Sequence, residues 1–395
     1  MDFKLDPTMD DSNSVLGDRI IAQINASPQR RITFAQFMEL ALYDAQAGYY
    51  ATKAVDIGAQ GDFFTSPHLG NDFGELLAVQ FAQMWEIMGQ PVPFTLVEMG
   101  AGQGILAADI LKYLYKNYQD FFKALEYVIV ELSPGLKQRQ QLLKGLAADK
   151  VYWRNLEEIA DNSLIGCCFS NELVDAMPVH LFLYQDGQLG EVYVSTSEQS
   201  AFIEIVSTPS TPRLANYFDL VGVDIAQIAG NGSYRSEINL AALDWLSTIA
   251  QKLQRGYLLT IDYGYAATRY YNPMRSQGTL QCYYRHQHHN NPYINIGRQD
   301  ITAHVDFTAL ERWGEQCGLH KLGFTQQGLF LMALGLGERI AAISNSTADL
   351  NQLLQRRDAL HQLIDPQGLG GFGVLVQTKG LTSAEISISL QGLSY

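Results

Sequence analysis

The residues of this chain that could do chemistry are a glycine turn and a set of acids at the ends of apolar runs. Glu98 closes the apolar run at 94–97; Gly100, Gly102 and Gly104 follow, and a helical pattern opens at Ile105. A strand running through a tight glycine turn into a helix brings backbone N–H groups and a helix N-terminus against a nucleotide-like ligand. The spacing is G-x-G-x-G, tighter than the G-x-G-x-x-G dinucleotide fingerprint. Alone, the turn fits a nucleotide-like cofactor, a dinucleotide or a plain strand-turn-helix joint.

Glu131 closes the next apolar run, 127–130, where an acid either grips ribose hydroxyls or caps the helix opened by Ser133-Pro134. Asn171-Glu172 and Asp175 place two carboxylates within one turn at the mouth of the apolar run 165–170. They suit proton transfer or the binding of a cation, or else helix capping with acids favoured by the dipole. Asp62 stands in a loop, 58–68, that keeps Phe63 and Phe64 where a plain turn would be more polar. That loop is either a binding segment or a buried plug. His286, His288 and His289 lack the acid-rich partner that a metal site needs. The eight tyrosines between 257 and 293 could hold a cation over their rings or pack an inserted loop. No G-x-S-x-G elbow or P-loop pattern is present, which disfavours hydrolases and kinases.

Strands and helices must position these groups. Apolar strand runs alternate with helical periodicity from 94 to 184 and resume at the helix 241–253 and the strand 257–262. The expected fold is α/β: a doubly wound, mostly parallel sheet with a helical N-terminal extension and inserted subdomains. Residues 1–30 read as a polar tail and 31–90 as the extension with its glycine-rich loop. Residues 91–184 form the first half of the core, 185–240 a small antiparallel insertion, and 241–395 the second half, interrupted at 263–303. Ligands of open α/β sheets bind outside the carboxyl ends of the strands. Glu98, Glu131, Asn171-Glu172 and Asp262 should therefore converge on one crevice.

The chain has 395 residues and a net charge of −14, a surface that repels phosphate backbones and anionic lipid. Nucleic acid is not an expected partner, and no apolar run reaches membrane-spanning length. The four cysteines form no C-x-x-C pair. The acidic N-terminus, without an apolar core or an arginine-rich stretch, leads to the expectation of a cytoplasmic, bacterial-type protein.

Seven ordered motifs carry a resemblance. They are Gly61-Asp62-Phe63-Phe64-Thr65-Ser66-Pro67, Phe73-Gly74-Glu75, the turn from Glu98 to Gly104, Glu131-Leu132-Ser133-Pro134, Asn171-Glu172 with Asp175-Ala176-x-Pro178, Ile261-Asp262-Tyr263-Gly264, and the segment from Asp300 to Phe307. Together they resemble the MidA family of class I S-adenosyl-L-methionine (SAM) methyltransferases, which includes the mitochondrial complex I assembly-factor methyltransferase. The resemblance implies a Rossmann-like class I core, SAM as cofactor and no metal. It also implies a protein substrate, an arginine of a respiratory complex I-type subunit. Carried onto this sequence, the cofactor-binding set is Glu98, Gly100, Ala101, Gly102, Gly104, Glu131, Leu132, Asn171, Gly61, Thr65, Ser66 and Pro67. His68 and Gln103 depart from the usual pattern, and neither removes a backbone amide.

A guanidinium, with a pKa above about 12, must be oriented by carboxylates and must lose a proton as the methyl arrives. Glu172 is the first choice for that acceptor and Asp175 the second, with Asp62 or His304 assisting. Three alternatives stand beside this reading. One is a small-molecule or non-arginine methyltransferase. Another is a SAM-binding assembly chaperone that docks through its insertions. The third, a nicotinamide-dependent dehydrogenase, is disfavoured by the glycine spacing.

Overall fold

A computed structural model describes residues 10–52, 65–147, 149–285, 287–343 and 350–394. The expected site residues Gly61 and Asp62 lie outside the described residues, as does His286. The chain forms two compact units. One draws on residues 64–175, 242–266 and 305–395, the other on 1–63, 176–241 and 267–304.

The first unit is built on seven strands: β1 (Phe94–Met99), β2 (Leu125–Val130), β3 (Val151–Trp153), β4 (Leu164–Asn171), β5 (Leu253–Asp262), β6 (His320–Gln326) and β7 (Gly373–Lys379). Their order across the sheet is β6-β7-β5-β4-β1-β2-β3. β1 to β5 pair in parallel, and β7 inserts antiparallel between β5 and β6. Every residue of β1 is buried, as parallel strands covered on both faces require. In register, Val97 lies beside Val128 on one side and Cys168 on the other. The strand order reverses between β1 and β4, which makes the carboxyl ends of that pair the topological switch point. The expected doubly wound, mostly parallel sheet is the observed one.

β6 was not among the expected strands. It is an edge strand with a bulge between Lys321 and Gly323, mostly exposed, so its sequence has no apolar run to betray it. The helix Asp72–Ile87 packs against the helix Ile105–Asn117, and Gly74 is where they come close: a Cβ there would meet Asp109 Cβ at 2.8 Å.

The second unit has its own core. Its main sheet is antiparallel, with His180–Gln185, Gln188–Thr196, Phe202–Ser207, Tyr234–Ile238 and the short Ile32–Thr33. Three of these strands, Gln188–Thr196, Phe202–Ser207 and Tyr234–Ile238, fall within 185–240, where the sequence leads to the expectation of an antiparallel insertion. A helix, Ser14–Ala26, stands where the sequence suggests a polar tail. Asn13 caps it through Leu16 N–H at 3.3 Å, and Leu16, Ile20 and Ile24, four residues apart, are fully buried. The many aspartates before it obscure that stripe. The helix Phe34–Tyr43 opens on a capping box between Thr33 and Gln36.

Candidate active site

The glycine turn leaves β1 with Gly100, Gly102 and Gly104 at φ of 73°, 52° and 79°, a left-handed run that side chains disfavour. Among the described residues, none but its chain neighbours comes within 4 Å of a Cβ built on Gly102, so that side of the turn is open among them. Gly104 is the N-cap of the helix Ile105–Asn117, and its N–H donates to Ala101 O at 2.8 Å. The arrangement leaves the first N–H groups of a 13-residue helix and the turn's backbone as an anion- and dipole-binding cradle.

Two buried acids flank the cradle. Glu98 Oε2 accepts the Tyr127 hydroxyl proton at 2.7 Å. Burial pushes the Glu98 carboxyl up to about 7; the Tyr127 bond opposes that push and the charge of Glu131 adds to it. Glu131 Oε1 accepts at 2.9 Å from the N–H of Ser133, which precedes the helix Pro134–Gln140. Its other oxygen, Oε2, accepts from Gln140 Nε2 at 3.3 Å. Burial raises its pKa, with the Ser133 and Gln140 bonds acting against the rise. Leu132 beside it is 74% exposed, a large apolar side chain left in the open at the strand's end.

At the switch point, β4 delivers Asn171 and Glu172. Glu172 has a left-handed backbone at φ 51°, a strained state for a non-glycine residue. Its own N–H is held by Ile261 O of β5 at 2.9 Å. Its Oε1 accepts from Asn171 Nδ2 at 3.0 Å and from Ser66 N–H at 3.3 Å. Asn171 Oδ1 is buried without a hydrogen-bond partner among the described residues. Asp262, fully buried, accepts at Oδ2 from Val174 N–H at 2.9 Å and Asp175 N–H at 3.3 Å, and at Oδ1 from Tyr263 N–H at 2.8 Å. The carboxyls of Glu172, Asp175 and Asp262 thus lie close together in one corner of the unit. Burial first, and the charge of Asp175 second, push Glu172 up to about 8. Asp262 is pushed well above the usual carboxylate range by burial and by both neighbours. Leu173 ties this corner to the cradle, since a Cβ on Gly100 would strike Leu173 Cδ1 at 2.8 Å.

Thr65, Ser66 and Pro67 lie at the start of the short turn Ser66–Leu69. Thr65 Oγ1 bonds His68 Nδ1 at 2.7 Å, and Ser66 Oγ, fully buried, accepts from Gln327 Nε2 at 3.1 Å. The structure therefore brings Glu98, the glycine turn with Ala101, Glu131, Leu132, Asn171, Glu172, Asp175 and Ser66 to one end of one sheet. His304 belongs to the other unit. There its N–H donates to Thr279 Oγ1 at 3.1 Å, and burial, aided by Arg275, pushes its imidazole down to about 4. The tyrosines of the second insertion pack it. Tyr270 and Tyr271 hydroxyls bond Glu237 at 3.2 and 2.8 Å, Tyr293 bonds Glu204 at 2.9 Å, and Tyr284 bonds Asp11 at 2.7 Å.

Asp262 stands at the crevice where the end of its strand was expected to put it; Gln140, Tyr127, Trp153 and Gln327 also hold this site and are absent from the expected set. Only Gln140 carried a signal: a polar residue on the stripe Leu136, Gln140, Leu143, where both leucines are buried.

Residues 76–325 match the family model for S-adenosyl-L-methionine-dependent methyltransferases, Methyltransf_28. A solved COG1565 superfamily member from Burkholderia thailandensis, bound to S-adenosyl-homocysteine, superposes with a TM-score of 0.82. It is 31% identical, with 96% of this chain and 94% of that one covered. The chain belongs to the MidA family of class I SAM-dependent methyltransferases. Among its relatives, the Drosophila melanogaster protein named "Protein arginine methyltransferase NDUFAF7 homolog, mitochondrial" is 30% identical over 90% of this chain and 83% of its own length. The human protein named "Protein arginine methyltransferase NDUFAF7, mitochondrial" is 28% identical over 86% of this chain and 78% of its own.

These names overturn the cytoplasmic expectation. The curated relatives are mitochondrial proteins, and an acidic N-terminus without an apolar core does not define a compartment. The cofactor of this methyltransferase is SAM. The residues present suit it: a backbone cradle open at Gly102, a buried strand-end acid at Glu131, and a buried Asn171 oxygen able to accept an N–H.

Proposed function

We propose that this methyltransferase transfers the methyl group of SAM to an arginine side chain of a protein partner, a subunit of a respiratory complex I-type assembly. The observation that carries the reading is the cluster of Glu172, Asp175 and Asp262 next to the glycine cradle. Burial and the charges of their neighbours raise the Glu172 and Asp262 carboxyls, and a guanidinium placed among the three acids relieves that repulsion. The names of the relatives point the same way, since they are protein arginine methyltransferases.

In this reading the 100–104 turn, Ala101 included, holds the methionine end of SAM with Glu98 behind it, and Glu131 holds the ribose hydroxyls. Leu132 offers an apolar face to the base. Asn171, Thr65, Ser66 and Pro67 close the pocket. Bound SAM supplies an electrophilic methyl on a positively charged sulfur. Glu172 aligns the guanidinium and takes the N–H proton as the new N–C bond replaces the methyl–sulfur bond, so that a methylated guanidinium, again a cation, and a neutral thioether remain. Asp175 shares the positive charge, and Asp262 fixes the turn that presents both. A dry site strengthens each of these interactions.

The test is Glu172→Gln, with calorimetry of SAM binding run beside a methyl-transfer assay. Binding within about twofold of the parent, with turnover down by about a hundredfold or more, is the expected result. Normal turnover removes Glu172 from the chemistry.

A further inference from the structure

Gln140 is fully buried and joins the two halves of the cofactor cradle. Its orientation is fixed by chemistry. The indole N–H of Trp153 can only donate, so the Gln140 atom 2.8 Å from it is the carbonyl oxygen Oε1. The amide nitrogen must then face two acceptors, Gly102 O at 2.8 Å and Glu131 Oε2 at 3.3 Å. Among the described residues, none but its chain neighbours comes within 4 Å of a Cβ built on Gly102. The Gln140 bond to its carbonyl does restrain the turn.

We infer that Gln140, oriented by Trp153, is a positioning residue for SAM, locking the glycine turn and Glu131 into one binding geometry. It reaches the cofactor only through those two groups. Its N–H bond also favours the ionised form of Glu131 against burial, as do Ser133 N–H and the charge of Lys137. From β1, Glu98 faces the same carboxylate, and its own partner is Tyr127. Without Gln140, Glu131 holds its proton to higher pH, so a ribose-binding carboxylate is lost first on the acid side.

Two substitutions test this, Gln140→Leu and Trp153→Phe. The readout is the dissociation constant of S-adenosyl-homocysteine by calorimetry at about pH 5 and about pH 9, with the ligand-free melting temperature alongside. Gln140→Leu is expected to weaken binding about tenfold at the lower pH, where burial without the Gln140 bond favours the protonated carboxyl, and clearly less at the higher. Trp153→Phe leaves the amide free to turn and is expected to cost about threefold, with the same pH trend. Unchanged affinity in either variant that folds overturns the inference. So does an equal loss at both pH values, which is what a packing role produces. Should Gln140→Leu not fold, Trp153→Phe decides alone. A parent protein that fails to bind S-adenosyl-homocysteine would instead overturn the cofactor assignment.

Discussion

Asp262 Oδ2, at the end of β5, accepts the N–H of Val174 from the loop after β4 at 2.9 Å. That bond fastens the turn carrying Glu172 and Asp175 to the neighbouring strand, and it does so with a third carboxyl, itself fully buried. The site therefore trades stability for a poised cluster of acids.

Asp175→Asn tests the electrostatics of that cluster. The charge of Asp175 adds to burial in raising the Glu172 carboxyl, so removing it lets Glu172 ionise more easily. The rise of methyl transfer with pH at subsaturating substrate should move toward acid by about one pH unit. A profile that stays in place means that Asp175 does not tune Glu172.

Glu172 itself sets the pH dependence of the parent protein. With its carboxyl pushed up to about 8, it is neutral at neutral pH and becomes a base only above that value. Methyl transfer at subsaturating substrate should rise through about pH 8. The sign for stability is the reverse. A carboxyl whose folded pKa is raised above its ordinary 4.5 contributes stability at low pH that is lost as pH rises toward about 8. Glu172→Gln should thus melt higher than the parent at alkaline pH and show no such gain below about pH 5, by calorimetry.

Gly102→Val addresses the cradle. At φ 52° a β-branched residue is strained, and its side chain would fill the open side of the turn. Loss of SAM binding in calorimetry is expected with little change in far-ultraviolet circular dichroism. Retained binding would place the cofactor elsewhere.

Stability of the second unit rests partly on Glu191, whose side chain is buried against His180 Nδ1 at 2.7 Å and Ser210 N–H. Despite burial, the His180 and Ser210 bonds hold its carboxyl below the ordinary 4.5. Its contribution is present above that value and lost as pH falls through the lowered one. Glu191→Ala should cost about 3–5 kcal/mol in denaturant unfolding near neutral pH, and less in strong acid.

The parts of the site that backbone geometry dictates were legible in the sequence. Left-handed turns need glycine, so Gly100, Gly102 and Gly104 announced the cradle, and the acids Glu98 and Glu131 stood where apolar runs ended. What depends on distant pairing was hidden. Nothing local in the residues of β7 says that it runs antiparallel between β5 and β6. Gln140 shows only as a polar residue on an apolar stripe, and Gln327 not at all, until Trp153 and Ser66 are brought to them from elsewhere in the chain. The helix Ser14–Ala26 was readable from Leu16, Ile20 and Ile24, but the surrounding aspartates dominated its composition. The tyrosine-rich insertion fits packing and cation binding equally by composition; only the hydroxyl partners Glu237, Glu204 and Asp11 show that it packs.

The central claim, arginine methylation of a protein partner, is tested most directly by transfer of a labelled methyl group. The purified chain, with methyl-labelled SAM, is incubated with extract from cells that lack it, and the labelled product is sequenced by mass spectrometry. The account predicts a methylated arginine in a polypeptide of a respiratory complex I-type assembly, absent when Glu172→Gln replaces the parent. Label on no polypeptide, or on a residue other than arginine, would contradict it.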